Sequence, residues 1–318
     1  MGGQALLEGV MMRGPDRIAI AVRKPDSSIA LRTYPYTPIA KRIKWLGTPI
    51  IRGAVGMVEA LKIGVDALNW SAEQAMPEEE TAPRETSTWK ERLGKAVSIL
   101  LALGFGLGLF MLLPYWIAKL TVGGDQGQIA FHLIAGAVRV VVLIGYMVII
   151  SRFKEIHRVF QYHGSEHKTI FAFERGRELT PPEVLEQSRL HPRCGTSFLL
   201  IVALSAILFF VIVDSLIVAF IGAYPNVLVR LLVHIPLIPL VAGLSYEILK
   251  LSAKNTNNRL VRAFVQPGLW LQKITTQEPD AGMCEVAILS LKTALHGPAT
   301  NRDEDYTTFV PATEPVAA

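Results

Sequence analysis

Residues 151–197 read SRFKEIHRVFQYHGSEHKTIFAFERGRELTPPEVLEQSRLHPRCGTS, a polar stretch set between long apolar runs. It holds four of the chain's seven histidines. Within it His163, Glu166 and His167 spell H-x-x-E-H, the inverted zinc-hydrolase pattern. At about 1.5 Å and 100° per residue, His163 and His167 fall one turn apart on one helical face, so both imidazoles can reach a single Zn²⁺ at about 2.0 to 2.1 Å. Glu166 then sits beside them as a candidate general base. Glu174 shares the face but lies about 10.5 Å beyond His167 along a straight helix, too far to share the ion. A further ligand must fold back from elsewhere. Thr180-Pro181-Pro182 breaks the helix and can return His191 and Cys194, with Arg193 between them as an additional candidate. The bland alternative is a set of histidines that merely hydrogen-bond at a membrane surface.

The flanking runs decide the fold class. Residues 96–118 carry no charge, and 129–150, 197–222 and 227–249 are each long enough to cross about 30 Å of hydrocarbon as helices. The expectation is a mainly α polytopic membrane protein with four transmembrane helices, in two pairs (96–150 and 197–249) around a cytoplasmic His/Cys loop, 151–196. Lys and Arg number 14 before residue 96, 8 in 151–195 and 7 after 249, whereas the other two connections carry only Lys119. By the positive-inside rule both termini and the 151–195 loop face the cytoplasm of a bacterium. The net charge of +5 then reflects topology and contact with anionic lipid, and no nucleic acid is expected as a partner. Two cysteines give no disulfide framework, Cys284 reads as an ordinary free thiol, and no cleavable-signal pattern precedes the first apolar run.

Outside the spans, 1–48 reads as a glycine-punctuated loop, MGGQALLEGVMMRGPDR, followed by a small β-hairpin of Ile18 to Arg23 and Ser28 to Tyr34. Glu8 and Arg13 are charges embedded in apolar surroundings, and the loop lacks the spacing of a phosphate-binding motif. Residues 49–70 repeat apolar side chains at helical spacing, which predicts an amphipathic helix on the membrane or bundle. Residues 71–90 are acidic, contain Pro77 and Pro83, and read as a disordered linker. In 250–296, an amphipathic helix ends at Gln266-Pro267-Gly268, a short helix follows, and Glu278-Pro279-Asp280 starts a helix over 281–295. Residues 297–318 read as a disordered tail.

Ionisable groups at bilayer depth cost at least about 2.5 to 3.5 kcal/mol and are rarely left unpaired. Counted from the outer helix ends at 1.5 Å per residue, Arg139 lies about 15 Å deep, Asp214 about 12 Å and His234 about 10.5 Å. The depths predict an Arg139 to Asp214 ion pair with His234 nearby, either as a helix-locking contact or as part of a proton path. Glu247, near the cytoplasmic end of the fourth span, could join the metal site or answer Lys250.

Five strings together carry a resemblance: GGQALLEGVMMRGP at 2–15, YHGSEHKTI at 162–170, HPRCGTSFLL at 191–200, AGLSYEILKL at 242–251 and PGLWLQKITTQEPD at 267–280. They resemble the YqhQ-like bacterial membrane protein family, domain of unknown function 1385, over nearly the whole length. What the resemblance implies is a polytopic membrane protein and a metal-dependent enzyme whose matching positions here are His163, Glu166, His167, His191 and Cys194. Two functions follow as expectations. One is hydrolysis assisted by a divalent metal, most simply Zn, with Glu166 as base and a membrane-protein segment, peptide or lipid-linked group as substrate. The other is a non-catalytic scaffold whose closed His/Cys site binds membrane-protein partners, with a homo-oligomer compatible with either.

Overall fold

The computed structural model describes residues 2–76, 89–123, 129–191, 195–254, 259–297 and 306–308. Helix predominates, and four stretches are long and apolar enough to cross a membrane: Ala96–Val122, Ile129–Ile150, Val202–Phe220 and Val227–Leu251.

The chain opens with an antiparallel meander of β1 (Gly2–Leu6), β2 (Gly9–Arg13), β3 (Arg17–Arg23) and β4 (Ile29–Pro35). The expected hairpin is β3 with β4. The expected glycine loop before it is instead a second hairpin, with Leu6 opposite Gly9 and Glu8 at φ 52 in the turn. GVMMR hides its strand character because both faces are covered, and a strand buried on both faces loses the polar alternation that marks one. A short α1 (Ile39–Arg42) leads to α2 (Ile51–Ala75), which covers the predicted amphipathic helix and runs on into the expected linker. Of that linker, 77–88 lies outside the described residues, and α3 begins at Trp89.

Two layers of helix sandwich the sheet. The bulky side of β3, Ile18, Ile20 and Val22, packs with Leu6 and Met11 against Ile63, Ala67 and Trp70 of α2. Its small side, Ala19 and Ala21, packs with Val10, Met12, Ile29 and Leu31 against α6 (Lys154–Glu174) and α11 (Ala281–His296). Alanine there lets α11 come close enough for Ser290 Oγ to donate to the Ala19 carbonyl at 3.0 Å. Asp280 starts α11 by accepting from the Met283 amide at 2.7 Å, the cap expected of that position.

The spans are continuous helices with local irregularities. α3 (Trp89–Leu107) passes through a π-turn, Gly108–Leu112, into α4 (Leu113–Val122), and α5 is Ile129–Ile150. After α6 come α7 (Pro181–Leu185), α8 (Gly195–Phe220) and α9 (Val227–Lys254), which runs through Pro236 and Pro239. α10 (Arg259–Thr275) continues through Pro267, where the sequence predicts a stop. The buried packing of Gly268, Leu271 and Gln272 outweighs the one lost backbone bond. In the expected tail, β5 (Tyr306–Thr308) adds to the free edge of β4, while 298–305 and 309–318 lie outside the described residues.

The sheet, α6 and α11 share one core although they precede the first span, join the second to the third, and follow the fourth. These segments therefore form one body on one side of the spans. It is tied to α9 where Gly53 meets Gly243: a Cβ on Gly53 would lie 2.9 Å from Gly243 Cα, and one on Gly243 2.4 Å from the Ile50 carbonyl. Glu247 completes this tie. It accepts from Arg52 Nε at 2.7 Å, Arg52 Nη2 at 2.5 Å and the Ile50 amide at 3.3 Å. The N-terminus of α2 thus claims both oxygens of Glu247, which Lys250 also favours electrostatically from farther off.

Candidate metal centre

α6 carries the centre. A helical repeat brings His163, Glu166 and His167 to one face, and the fold then buries that face, leaving the three residues 9%, 5% and 2% exposed. One donor atom from each lies within 4.8 Å of the other two. The two imidazole rings are 4.5 Å apart between centroids.

What the ring nitrogens do is fixed by their partners. His163 Nδ1 lies 2.7 Å from the Thr275 carbonyl oxygen and His167 Nδ1 2.5 Å from that of Arg189. A carbonyl oxygen only accepts, so Nδ1 of each ring carries a proton, and in the neutral imidazole Nε2 is the nitrogen left to accept. His167 Nε2 is buried and has no hydrogen-bond partner among the described residues. An imidazole anchored through N–H to a backbone carbonyl, its opposite nitrogen unused, is the outer-shell arrangement of a metal ligand. These residues fit a divalent metal such as Zn²⁺.

Glu166 faces the same space, with Oε2 3.9 Å from His163 Nε2. Burial pushes its carboxyl pKa up, against the opposing pull of nearby His163 and of the Gly3 amide, which donates to it. Gly3 is the reason β1 can lie this close: a Cβ there would meet Glu166 Cγ, Glu166 Oε1 and the Met11 carbonyl, each at 2.8 Å. The neighbouring turn is tied to the same helix, because Glu8 accepts from Arg158 at 2.5 Å through each oxygen and from Tyr162 Oη at 3.3 Å. Arg13, the other charge singled out in that segment, donates to Tyr36 Oη at 2.6 Å.

His191 stands beside this group. Its backbone is clamped by the Gln272 side chain, which donates to its carbonyl and accepts from its amide at 2.8 Å each. Its ring centroid lies 5.7 Å from that of His167, and its Nε2 lies 3.5 Å from Glu174 Oε2. Glu174, set aside as a direct ligand, is thus the carboxylate next to the third histidine. Arg193 and Cys194 lie outside the described residues. The wall is completed by Lys168, which donates to the Leu185 carbonyl at 2.8 Å and pairs with Glu278 at 2.9 Å. Gly3, Gln272 and the carbonyls of Arg189 and Thr275 were not singled out by spacing. Gly3, Gln272 and Thr275 fall inside the quoted strings at 2–15 and 267–280, whereas Arg189 falls in none of them.

A second polar cluster lies among the spans, and here the expected pairing is corrected. Asp214 is paired with Arg230 at 2.5 Å, not with Arg139, and also accepts from His234 at 2.7 Å and Tyr224 at 2.8 Å. Arg139 Nε instead donates to the Phe110 carbonyl at 3.0 Å, inside the π-turn. A π-turn shifts the helical bonding pattern and offers a carbonyl that a neighbouring donor can use. Arg230 lies only about 4.5 Å along its helix from the outer end, so counting depth alone does not pair it with Asp214.

The family described as "Protein of unknown function (DUF1385)" matches residues 48–297. "Uncharacterized protein YqhQ" of Bacillus subtilis (strain 168) is 36% identical over 302 residues, covering 92% of each chain. No solved structure matches.

Proposed function

The chain belongs to the DUF1385 family, and from the chemistry of its own residues we propose that it is a metal-dependent hydrolase acting where the cytoplasm meets the membrane. The observation that carries this reading is the pair of Nδ1-anchored histidines whose donor atoms lie within 4.8 Å of each other and of a buried carboxyl. His163 and His167 would hold the metal, with His191 available to complete the set. A bound divalent ion would supply Lewis acidity and lower the pKa of a water it touches towards about 7.

The chain's own residues account for the rest. Glu166, held by the Gly3 amide and raised in pKa by burial, is suited to take a proton from water and return it to a leaving group. Lys168 and Arg189, both engaged with Glu278, hold the α7 segment and the α10 end against α6. The body that houses the centre is continuous with the spans, so a membrane-protein segment, peptide or lipid-linked group is the natural substrate class. The Lys and Arg distribution supports placing that body and both termini in the cytoplasm.

A second reading rests on a specific observation: the three residues are only 2% to 9% exposed. A site so enclosed suits a structural metal that locks loop to bundle in a scaffold for membrane-protein partners. The Glu166→Gln variant separates the two. As a base, Glu166 is dispensable for metal but required for turnover, so the variant should keep its metal and lose at least about 100-fold in hydrolysis of membrane-peptide and lipid-linked substrates. Wild-type protein with full metal and no turnover against such a panel would favour the scaffold.

A further inference from the structure

Between α4, α5, α8 and α9 lies a cavity of about 50 Å³ whose wall includes Arg139, Arg230, His132 and His234. One carboxylate answers these groups. Asp214 is fully buried and pairs with Arg230, with His132 Nε2 a further 3.7 Å away. Arg139 makes no ion pair among the described residues; its bond is to the Phe110 carbonyl. Two guanidiniums therefore face one carboxylate, leaving one positive charge in a wall otherwise built of apolar and aromatic side chains, even with both histidines neutral.

The donors are in surplus as well. Arg230 is 8% exposed; its Nη2 is taken by Asp214, while its Nη1 is buried without a hydrogen-bond partner. Rings of Phe131, Tyr115 and Tyr224 lie 5.0, 5.7 and 5.9 Å from its guanidinium carbon. Such contacts favour a guanidinium over the ring faces but supply no counter-charge for the second one. Something else must supply negative charge. One water needs only about 10 to 15 Å³, so the space accepts a few waters or one small ion, and it excludes a lipid phosphodiester with its substituents.

We propose that this cavity binds a small monovalent anion, of halide or formate size, between the guanidinium groups of Arg139 and Arg230. The anion balances the second arginine and occupies the donors that Asp214 cannot reach. Asp214 competes with it for Arg230, so the site carries a built-in prediction of sign: removing the carboxylate strengthens anion binding, although it weakens the cluster as a structural knot.

The test uses the full chain in lipid nanodiscs, exchanged into sodium gluconate and titrated with sodium chloride at constant sodium. Binding is followed by chloride-35 NMR line broadening and by the thermal unfolding midpoint. The proposal expects saturable broadening that formate displaces, and a midpoint that rises with chloride. Arg139→Gln, which disturbs no carboxylate, should fold and lose both responses, and Asp214→Asn should saturate at a several-fold lower chloride concentration. Identical linewidths with and without wild-type protein would overturn the proposal, leaving water alone in the cavity. A chloride response that survives Arg139→Gln would overturn it too.

Discussion

The two buried polar clusters of this protein are opposites in what they lack. Around α6 the Nδ1 N–H groups are spent on backbone carbonyls, so what is gathered inward is ring nitrogens and a carboxyl. In the cluster among the spans the carboxylate of Asp214 is spent on Arg230, His234 and Tyr224, so what remains is N–H donors and positive charge. On the two proposals made above, the first takes a cation and the second an anion. Similar residue types give contrary chemistry because the protein chooses which half of each hydrogen-bonding side chain to use up.

That contrast can be broken most forcefully at Arg230. Its change to Gln leaves Asp214 buried without its main counter-charge and should cost about 3 to 5 kcal/mol, read as a lower thermal unfolding midpoint. Combining it with Asp214→Asn should recover much of the loss, because the uncompensated charge goes too. If the single variant unfolds like the wild type, the cluster is not an electrostatic knot.

The next largest effect probes the lone-pair cluster through its wall. Gly3→Ala forces a Cβ to within 2.8 Å of Glu166 and the Met11 carbonyl. It should cost about 1 to 3 kcal/mol by overpacking and weaken metal retention. Unchanged stability and metal content would mean that β1 does not shape the centre.

The smallest effect belongs to the surface. Glu8→Gln removes an ion pair to Arg158, whose side chain is half exposed, and should cost less than about 1 kcal/mol in chemical denaturation. A larger loss would show that the β1–β2 turn contributes to the centre beyond packing.

Much of this was legible in the sequence. Uncharged runs of about 20 residues announce membrane helices, since nothing in hydrocarbon can replace internal backbone bonding. H-x-x-E-H announces a shared helical face, which is local geometry. What could not be read was non-local. β2 looked like loop because a strand covered on both faces shows no polar alternation, and β1 because its two glycines carry no strand signal. Arg230 displaced Arg139 as the partner of Asp214 because depth along a helix says nothing about which side of the bundle a residue faces. Glu247 found Arg52, about two hundred positions away, through the contact of Gly53 with Gly243. Even the tautomers of His163 and His167 depended on carbonyls of Thr275 and Arg189, to which spacing gave no clue.

The most direct test of the central claim is a cobalt(II) titration of the metal-stripped full-length protein, followed by visible absorption, beside His163→Ala and His167→Ala. One equivalent should bind to the wild type with the d–d bands of a low-coordinate nitrogen and oxygen site, and either variant should abolish them. Wild-type protein that takes up no cobalt, or variants that bind it as well as the wild type does, would contradict a metal centre on α6.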